Sequence, residues 1–213
     1  MRSSIIIRGI VAVAAASVPL LGNAESTVST GAGALTATAQ VEFQVTIPQV
    51  LYLRVGTGSS YTTGVLAPNN TTIDVISFAP TTGQLVTGGA IAGTGGDLTN
   101  GVETAAVIGN GGTVTLGAST PGAMNDGAGD TINWSQITTA SATNTTGTAL
   151  PAPVLANGAS TNLTLNAASK TVYEDAKWTY TYNITAGSIP VAGTYGGATA
   201  ANNGLVTYTA SMP

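Results

Sequence analysis

One stretch of the chain, "NDGAGD" at residues 125–130, groups side chains that could bind a cation. Asn125, Asp126 and Asp130 offer oxygen atoms, which are the ligands that Ca²⁺ prefers in proteins. The spacing does not complete an EF-hand loop, and the Gly- and Asp-rich repeat of secreted β-rolls occurs at most once. We therefore interpret the stretch as a solvated loop, with calcium binding by these three residues as the alternative.

The chain contains no His and no Cys, which excludes Ser-His-Asp and Cys-His nucleophiles and the common zinc sites. A Ser-Lys pair is formally available with Lys170 or Lys177, but the sequence around Ser169 lacks the strained turn of a nucleophile. Carboxylate pairs for glycoside hydrolysis could come from five acidic residues, Glu42, Asp74, Glu103, Glu174 and Asp175. A sugar site would normally add aromatic platforms, whereas the aromatic residues here lie mostly in predicted strands. The sequence therefore predicts neither an enzyme nor a cofactor.

The longest regular pattern is "LTATAQVEFQVTI" at residues 35–47, in which apolar and polar residues alternate strictly. Such alternation predicts a strand with one buried face. The pattern continues through Pro48 into the apolar run "VLYLRV" at 50–55, so we assign it to the chain's own domain. The alternative is that an N-terminal segment is donated to a neighbouring copy of the chain. The segment that we then expect to be donated is "ESTVSTGAG" at residues 25–33.

Further strands are predicted by short alternating runs between Gly, Asn and Pro turns, at 71–78, 111–119, 131–137, 161–166, 177–184 and 204–212. The signal is poor from 80 to 110, and 138–160 reads as loop. The chain is 43% hydrophobic and only 7% charged, which is unlike a disordered chain. The predicted fold class is all-β, an antiparallel β-sandwich with long Gly/Thr/Asn-rich loops.

Residues 1–24 have the features of a secretory signal peptide, namely basic residues at Arg2 and Arg8, an apolar run, and small residues before a cut after Ala24. A membrane anchor is the alternative, although the run is shorter than the roughly 20 residues that span a bilayer. Cleavage leaves three basic residues against nine acidic ones, a net charge of −6. That charge excludes a nucleic-acid partner, and no later run is long enough to cross a membrane. Residues 25–213 are predicted to form one domain, with 25–34 as a flexible or donated extension.

The two ends of the chain carry a family resemblance. A signal peptide followed by a long alternating strand, together with the ending "IPVAGTYGG…GLVTYTASMP", resembles bacterial fimbrial subunits and related secreted β-sandwich surface proteins. The resemblance implies an immunoglobulin-like, pilin-like sandwich at the bacterial surface or in the periplasm. It also implies identical subunits, a periplasmic chaperone and an outer-membrane usher as partners. The disulfide common in such subunits is missing here.

These observations lead to the hypothesis of a secreted, non-catalytic structural or adhesive protein that acts as a subunit of a fimbrial or other surface assembly. The candidate interface residues are Val28, Leu35, Ala37, Val41, Phe43 and Val45. The alternative is a monomeric secreted β-sandwich that binds a carbohydrate or another surface ligand, with 35–47 as an ordinary strand of its own sheet.

Overall fold

The computed structural model describes residues 26–56, 70–145, 147–158, 160–165, 168, 170–197 and 202–213. The predicted signal peptide therefore lies outside the described residues. The chain divides into two units, Met1–Ile47 and Pro48–Pro213. In the described part of the first unit, residues 26–47, no helix or strand forms and every residue is exposed.

The predicted one-face-buried strand at 35–47 is therefore wrong for a single copy of the chain. Its apolar side chains have no core to enter, and Phe43 and Val45 are 87% and 82% exposed. Alternation specifies which side chains share a face when the chain is extended, but a strand forms only where a neighbouring strand accepts its hydrogen bonds.

The described residues of the second unit form strands, one helix and a 3-10 turn at Trp134–Gln136. The strands are β1 (Leu51–Val55), β2 (Ile76–Ser77), β3 (Gly89–Ala92), β4 (Thr94–Gly95), β5 (Val102–Gly109), β6 (Val114–Ser119), β7 (Met124–Asn125), β8 (Thr131–Ile132), β9 (Ile137–Thr143), β10 (Ser160–Leu165), β11 (Val172–Ile184) and β12 (Thr207–Ser211). The helix, α1 (Thr82–Thr87), begins with a capping box in which Thr81 and Gln84 exchange hydrogen bonds.

The largest sheet has five strands, in the order β1-β5-β11-β3, with β9 along the other edge of β11. The thirteen-residue β11 is its centre, because it pairs with β5, β3 and β9. A second sheet has the order β10-β6-β12, and β2-β4 and β7-β8 form two-stranded sheets. All these pairings are antiparallel, so the predicted all-β, antiparallel class is confirmed.

One apolar cluster draws side chains from both larger sheets. Trp178 of β11 is fully buried and lies 5.3 Å from Tyr208 of β12, ring centroid to ring centroid. Leu116 and Val114 of β6 are also fully buried. The alternation at 177–184 therefore predicts correctly which side chains of β11 face the core, namely Trp178, Tyr180, Tyr182 and Ile184.

Several strand predictions need correction. The structure adds β5, which the sequence signal missed because "VETAAVIG" is buried at nearly every position and so does not alternate. It adds β9 within the predicted loop at 138–160, and it reduces 71–78 to the two-residue β2. The predicted strand at 131–137 is interrupted by the 3-10 turn. Within the described residues, no helix is long and apolar enough to cross a membrane.

Candidate functional site

The first candidate site is the exposed segment 35–47, which contains most of the predicted interface residues. Val41, Phe43, Val45 and Ile47 are each at least 72% exposed, and Leu35 is half exposed. Ala37 is exposed too, and Val28 lies exposed further toward the N-terminus. Large apolar side chains grouped in this way mark an interaction surface, whereas single exposed ones are ordinary. The segment is thus an unpaired chain with the side-chain pattern of a strand.

A second feature is a group of carboxyl groups where β1 ends. One oxygen from each of Asp74, Asp97 and Glu103 lies within 4.8 Å of the other two. Asp74 precedes β2, Asp97 lies in the turn between β4 and β5, and Glu103 is in β5. The sheet brings them together because the β4–β5 turn extends past the end of β1. We call these three residues the carboxyl cluster.

Arg54 balances part of the charge of this cluster. Its Nη2 lies 3.8 Å from Oδ2 of Asp97, and both side chains are almost completely buried. The Arg54 Nε donates a hydrogen bond to the Gly56 carbonyl at 2.9 Å. Asp97 in turn accepts hydrogen bonds from the backbone N–H of Thr104, at 2.8 Å, and from the Thr104 hydroxyl. A cationic group, the guanidinium of Arg54, thus lies beside the carboxyl cluster.

Glu103 is the most perturbed member of the cluster. Its side chain is on the core-facing side of β5 with Ala105 and Val107, and the residue is 4% exposed. Burial, together with the neighbouring charges of Asp74 and Asp97 and a side-chain hydrogen bond with Asp74, raises the pKa of Glu103 to about 8 against a lowering by the hydrogen bond from the Asp97 N–H. A carboxyl group of this kind keeps its proton at neutral pH.

Of the five acidic residues considered above for glycoside hydrolysis, the structure brings two together, Asp74 and Glu103. Asp175 is fully buried on the opposite face of the sheet, where it binds Asn144 Nδ2 and the Thr145 N–H, both at 3.1 Å. Glu174 is half-buried in β11, where burial raises its pKa. Glu42 is exposed in the N-terminal unit.

Arg54 and Asp97 were not predicted as site residues. A lone Arg inside the apolar run "VLYLRV" is the signal that could have identified them, because a buried guanidinium needs a carboxylate partner. Nothing in the sequence identifies Asp97 as that partner, since more than 40 residues separate the two.

The predicted calcium candidates lie together in the β7–β8 hairpin. Oδ1 of Asp126 accepts three backbone hydrogen bonds, from Ala128, Gly129 and Asp130, at 2.8 to 3.1 Å. These bonds, above all the one from Ala128, lower the pKa of Asp126. Oδ1 of Asn125 accepts the Gly127 N–H at 3.0 Å. The oxygens of Asn125 and Asp126 thus close the turn by binding its backbone.

A third surface is the outer face of the β10-β6-β12 sheet. The strand register aligns Asn162, Gly117 and Thr209 across the sheet, and Thr164, Thr115 and Ser211 beside them. A shallow depression opens over Gly117 and is lined by small and polar residues, Thr115, Ala118, Ser119, Asn162, Thr207, Thr209 and Ser211. This surface offers hydroxyl and amide groups and carries no charge.

The chain matches no protein-family model, and no curated protein and no solved structure is significantly similar to it.

Proposed function

We propose that this protein is a secreted, non-catalytic structural subunit of a bacterial surface assembly, in which residues 35–47 of one copy add a strand to the next copy. The single observation that carries the proposal is the exposure of the alternating apolar residues of this segment. A strand given to a neighbouring sheet buries alternate side chains in pockets and forms a row of backbone hydrogen bonds. The fimbrial resemblance at the two ends of the sequence agrees with this mode of assembly.

The energetics favour such a joint without a disulfide, which this Cys-free chain cannot form. Fully burying one Val, Ile or Phe side chain stabilises by roughly 1.5–3 kcal/mol. Four of them, Val41, Phe43, Val45 and Ile47, therefore offer about 6–12 kcal/mol before the loss of chain entropy is counted. This amount is comparable with the roughly 4–15 kcal/mol that association costs, so the backbone hydrogen bonds of the added strand have to contribute as well.

The recipient in this proposal is the second unit, interpreted as an immunoglobulin-like β-sandwich. Within the described residues, β1 and β12 each pair along one edge only. The start of β1 lies close to the end of β12. Gln49, just before β1, donates a hydrogen bond from its Nε2 to the carbonyl of Pro213, just after β12, at 2.8 Å. Apolar side chains of both strands, Leu53, Val55, Tyr208 and Ala210, are only partly buried against the core. An added strand along either edge would cover them.

The test is a pair of double variants with the same added charge. Phe43→Asp with Val45→Asp places two carboxylates on the apolar face, and Gln44→Asp with Thr46→Asp places them on the polar face. We expect the first variant to remain monomeric and the second to assemble like the wild-type protein, as measured by light scattering and electron microscopy. Equal assembly of both variants would contradict strand addition through this face.

The second candidate function is that of a monomeric secreted binding module, and the observation that favours it is the uncharged hydroxyl face around Gly117. Neutral carbohydrate surfaces are suitable partners for such a face, because both sides offer hydroxyl groups. A mature wild-type protein that stays monomeric at all concentrations would favour this function over assembly.

A further inference from the structure

We propose that Asp74 and Glu103 share one proton, and that this proton holds the segment around β2 against β5 and releases it when the pH rises. The geometry is the starting point: one carboxyl oxygen of Asp74 lies within 4.8 Å of one carboxyl oxygen of Glu103, and a hydrogen bond between the two side chains helps to raise the pKa of Glu103. Two carboxylates so close cannot both be ionised without strong repulsion, whereas one proton converts the repulsion into a hydrogen bond.

The neighbouring elements supply little positive charge to Glu103. Asp97, from the β4–β5 turn, donates its N–H to Glu103 Oε2 at 3.3 Å but adds its own negative charge. Arg54 of β1 faces the cluster, and its guanidinium contacts Asp97. From β11 and β12, the hydroxyls of Tyr180 and Tyr208 lie 2.9 Å apart; burial raises the pKa of both phenols, and the Glu103 charge adds to this to a smaller extent. Among the described residues, no cationic group contributes to the pKa shift of Glu103, and a proton shared with Asp74 would neutralise this side chain.

Gly56 leaves both carboxyl groups the space that a side chain at this position would fill. A Cβ atom at Gly56 would lie 2.4 Å from Asp74 Oδ2 and 2.6 Å from Glu103 Oε2, so both oxygens lie against the same residue. Gly56 also has a φ of 70°, a left-handed conformation that glycine tolerates best. Asp74 precedes the short β2, whereas Glu103 is within the central sheet, so we expect repulsion between two ionised groups to displace the segment at Asp74.

The direction of the pH effect follows from the raised pKa of Glu103. The folded protein retains a proton that the unfolded chain loses near pH 4.5, so stability is fully present below that value. The free energy of unfolding then decreases as the pH rises, until the folded protein also loses the proton at about pH 8. With one proton difference, the unfolding constant rises about tenfold per pH unit inside this window.

The experiment compares thermal and urea unfolding between pH 4.5 and 9 for the wild type, Glu103→Gln and the matched control Glu42→Gln. Glu42 is exposed, so its variant should retain the wild-type pH dependence. Glu103→Gln keeps a neutral side chain at all pH values, and we expect it to lose the tenfold-per-unit slope. A wild-type slope in Glu103→Gln, or no slope in the wild type, would overturn the proposal.

A measurement on the wild type alone covers the case in which Glu103→Gln fails to fold. The carboxyl carbon of Glu103, followed by NMR, should titrate near pH 8. The amides of residues 70–79 should shift with the same midpoint, because Asp74 connects this segment to Glu103. Titration of Glu103 near its ordinary value, or no change in residues 70–79, would refute the shared proton.

Discussion

At the scale of single residues, the few buried charges of this chain each have a specific partner. Arg54 meets Asp97, and Asp175 accepts hydrogen bonds from Asn144 and Thr145. A buried charge without such partners would cost several kcal/mol. Because only 7% of the residues are charged, these contacts help to specify which loop lies against which strand.

Asp126 gives a prediction at the same scale. Asp126→Ala removes the acceptor of three backbone N–H groups, so hydrogen exchange of residues 128–130 should become markedly faster, as NMR or mass spectrometry would show. The folded pKa of Asp126 is lowered, so its contribution is present above the ordinary value of 3.8 and is lost as the pH falls through the lowered pKa. Exchange in the wild type should therefore also accelerate in strong acid.

The matched control is Asp130→Ala, which removes a charge from the same hairpin but leaves the Asp126 acceptor in place. Unchanged exchange in Asp126→Ala would contradict a turn-closing role. If calcium slows exchange in the wild type and has no effect in either Asp126→Ala or Asp130→Ala, this result would instead support the calcium site that the sequence offers as an alternative.

At the scale of elements, two apolar segments that are neighbours in sequence differ in structure, because only one of them forms a strand. Residues 50–55 contain β1, which pairs with β5 from Leu51↔Gly109 to Val55↔Ala105. Residues 35–47 alternate more strictly than β1 and yet form no strand. Partner availability, rather than pattern strength, decides which segment becomes a strand.

Deletions distinguish which part of the N-terminal segment is donated. Removing 25–34 should leave assembly intact, because the alternating residues 35–47 remain. Removing 25–47 should abolish assembly with little change in the melting temperature of the monomer, because the described residues of this segment are exposed. Light scattering and circular dichroism measure the two effects. Loss of assembly on removing 25–34 alone would indicate that the donated piece is 25–33.

At the scale of the whole molecule, the low charge predicts how an assembly should respond to salt. A joint formed by apolar burial and backbone hydrogen bonds does not depend on ion pairs, and 1 M salt reduces the Debye length to about 3 Å. We therefore expect assemblies of the mature protein to remain intact in 1 M NaCl. N-terminal sequencing should show that the mature protein begins at Glu25. Their size, followed by light scattering, should match that in low salt; dissociation in NaCl would show that charge holds the copies together.

The sequence predicted the all-β, antiparallel class and the inward-facing sides of β11 and β12, because the apolar residues of these strands alternate visibly. It missed β5, whose burial at almost every position erases the alternation. It missed β9 because the Thr, Ser and Ala residues there resemble loop composition. Of the site residues, it named Asp74 and Glu103 only as two of five separate carboxylates.

The amino-acid sequence by itself determined the all-β class, the lack of His and Cys chemistry, and the apolar face of residues 35–47. These properties follow from composition and from local periodicity. Only the tertiary structure decided that this face is exposed in a single copy, and that Asp74, Asp97 and Glu103 meet beside Arg54. Such contacts join residues up to 43 positions apart in the chain, as Arg54 and Asp97 are, and local patterns contain no information about which distant strand or turn the fold will bring alongside.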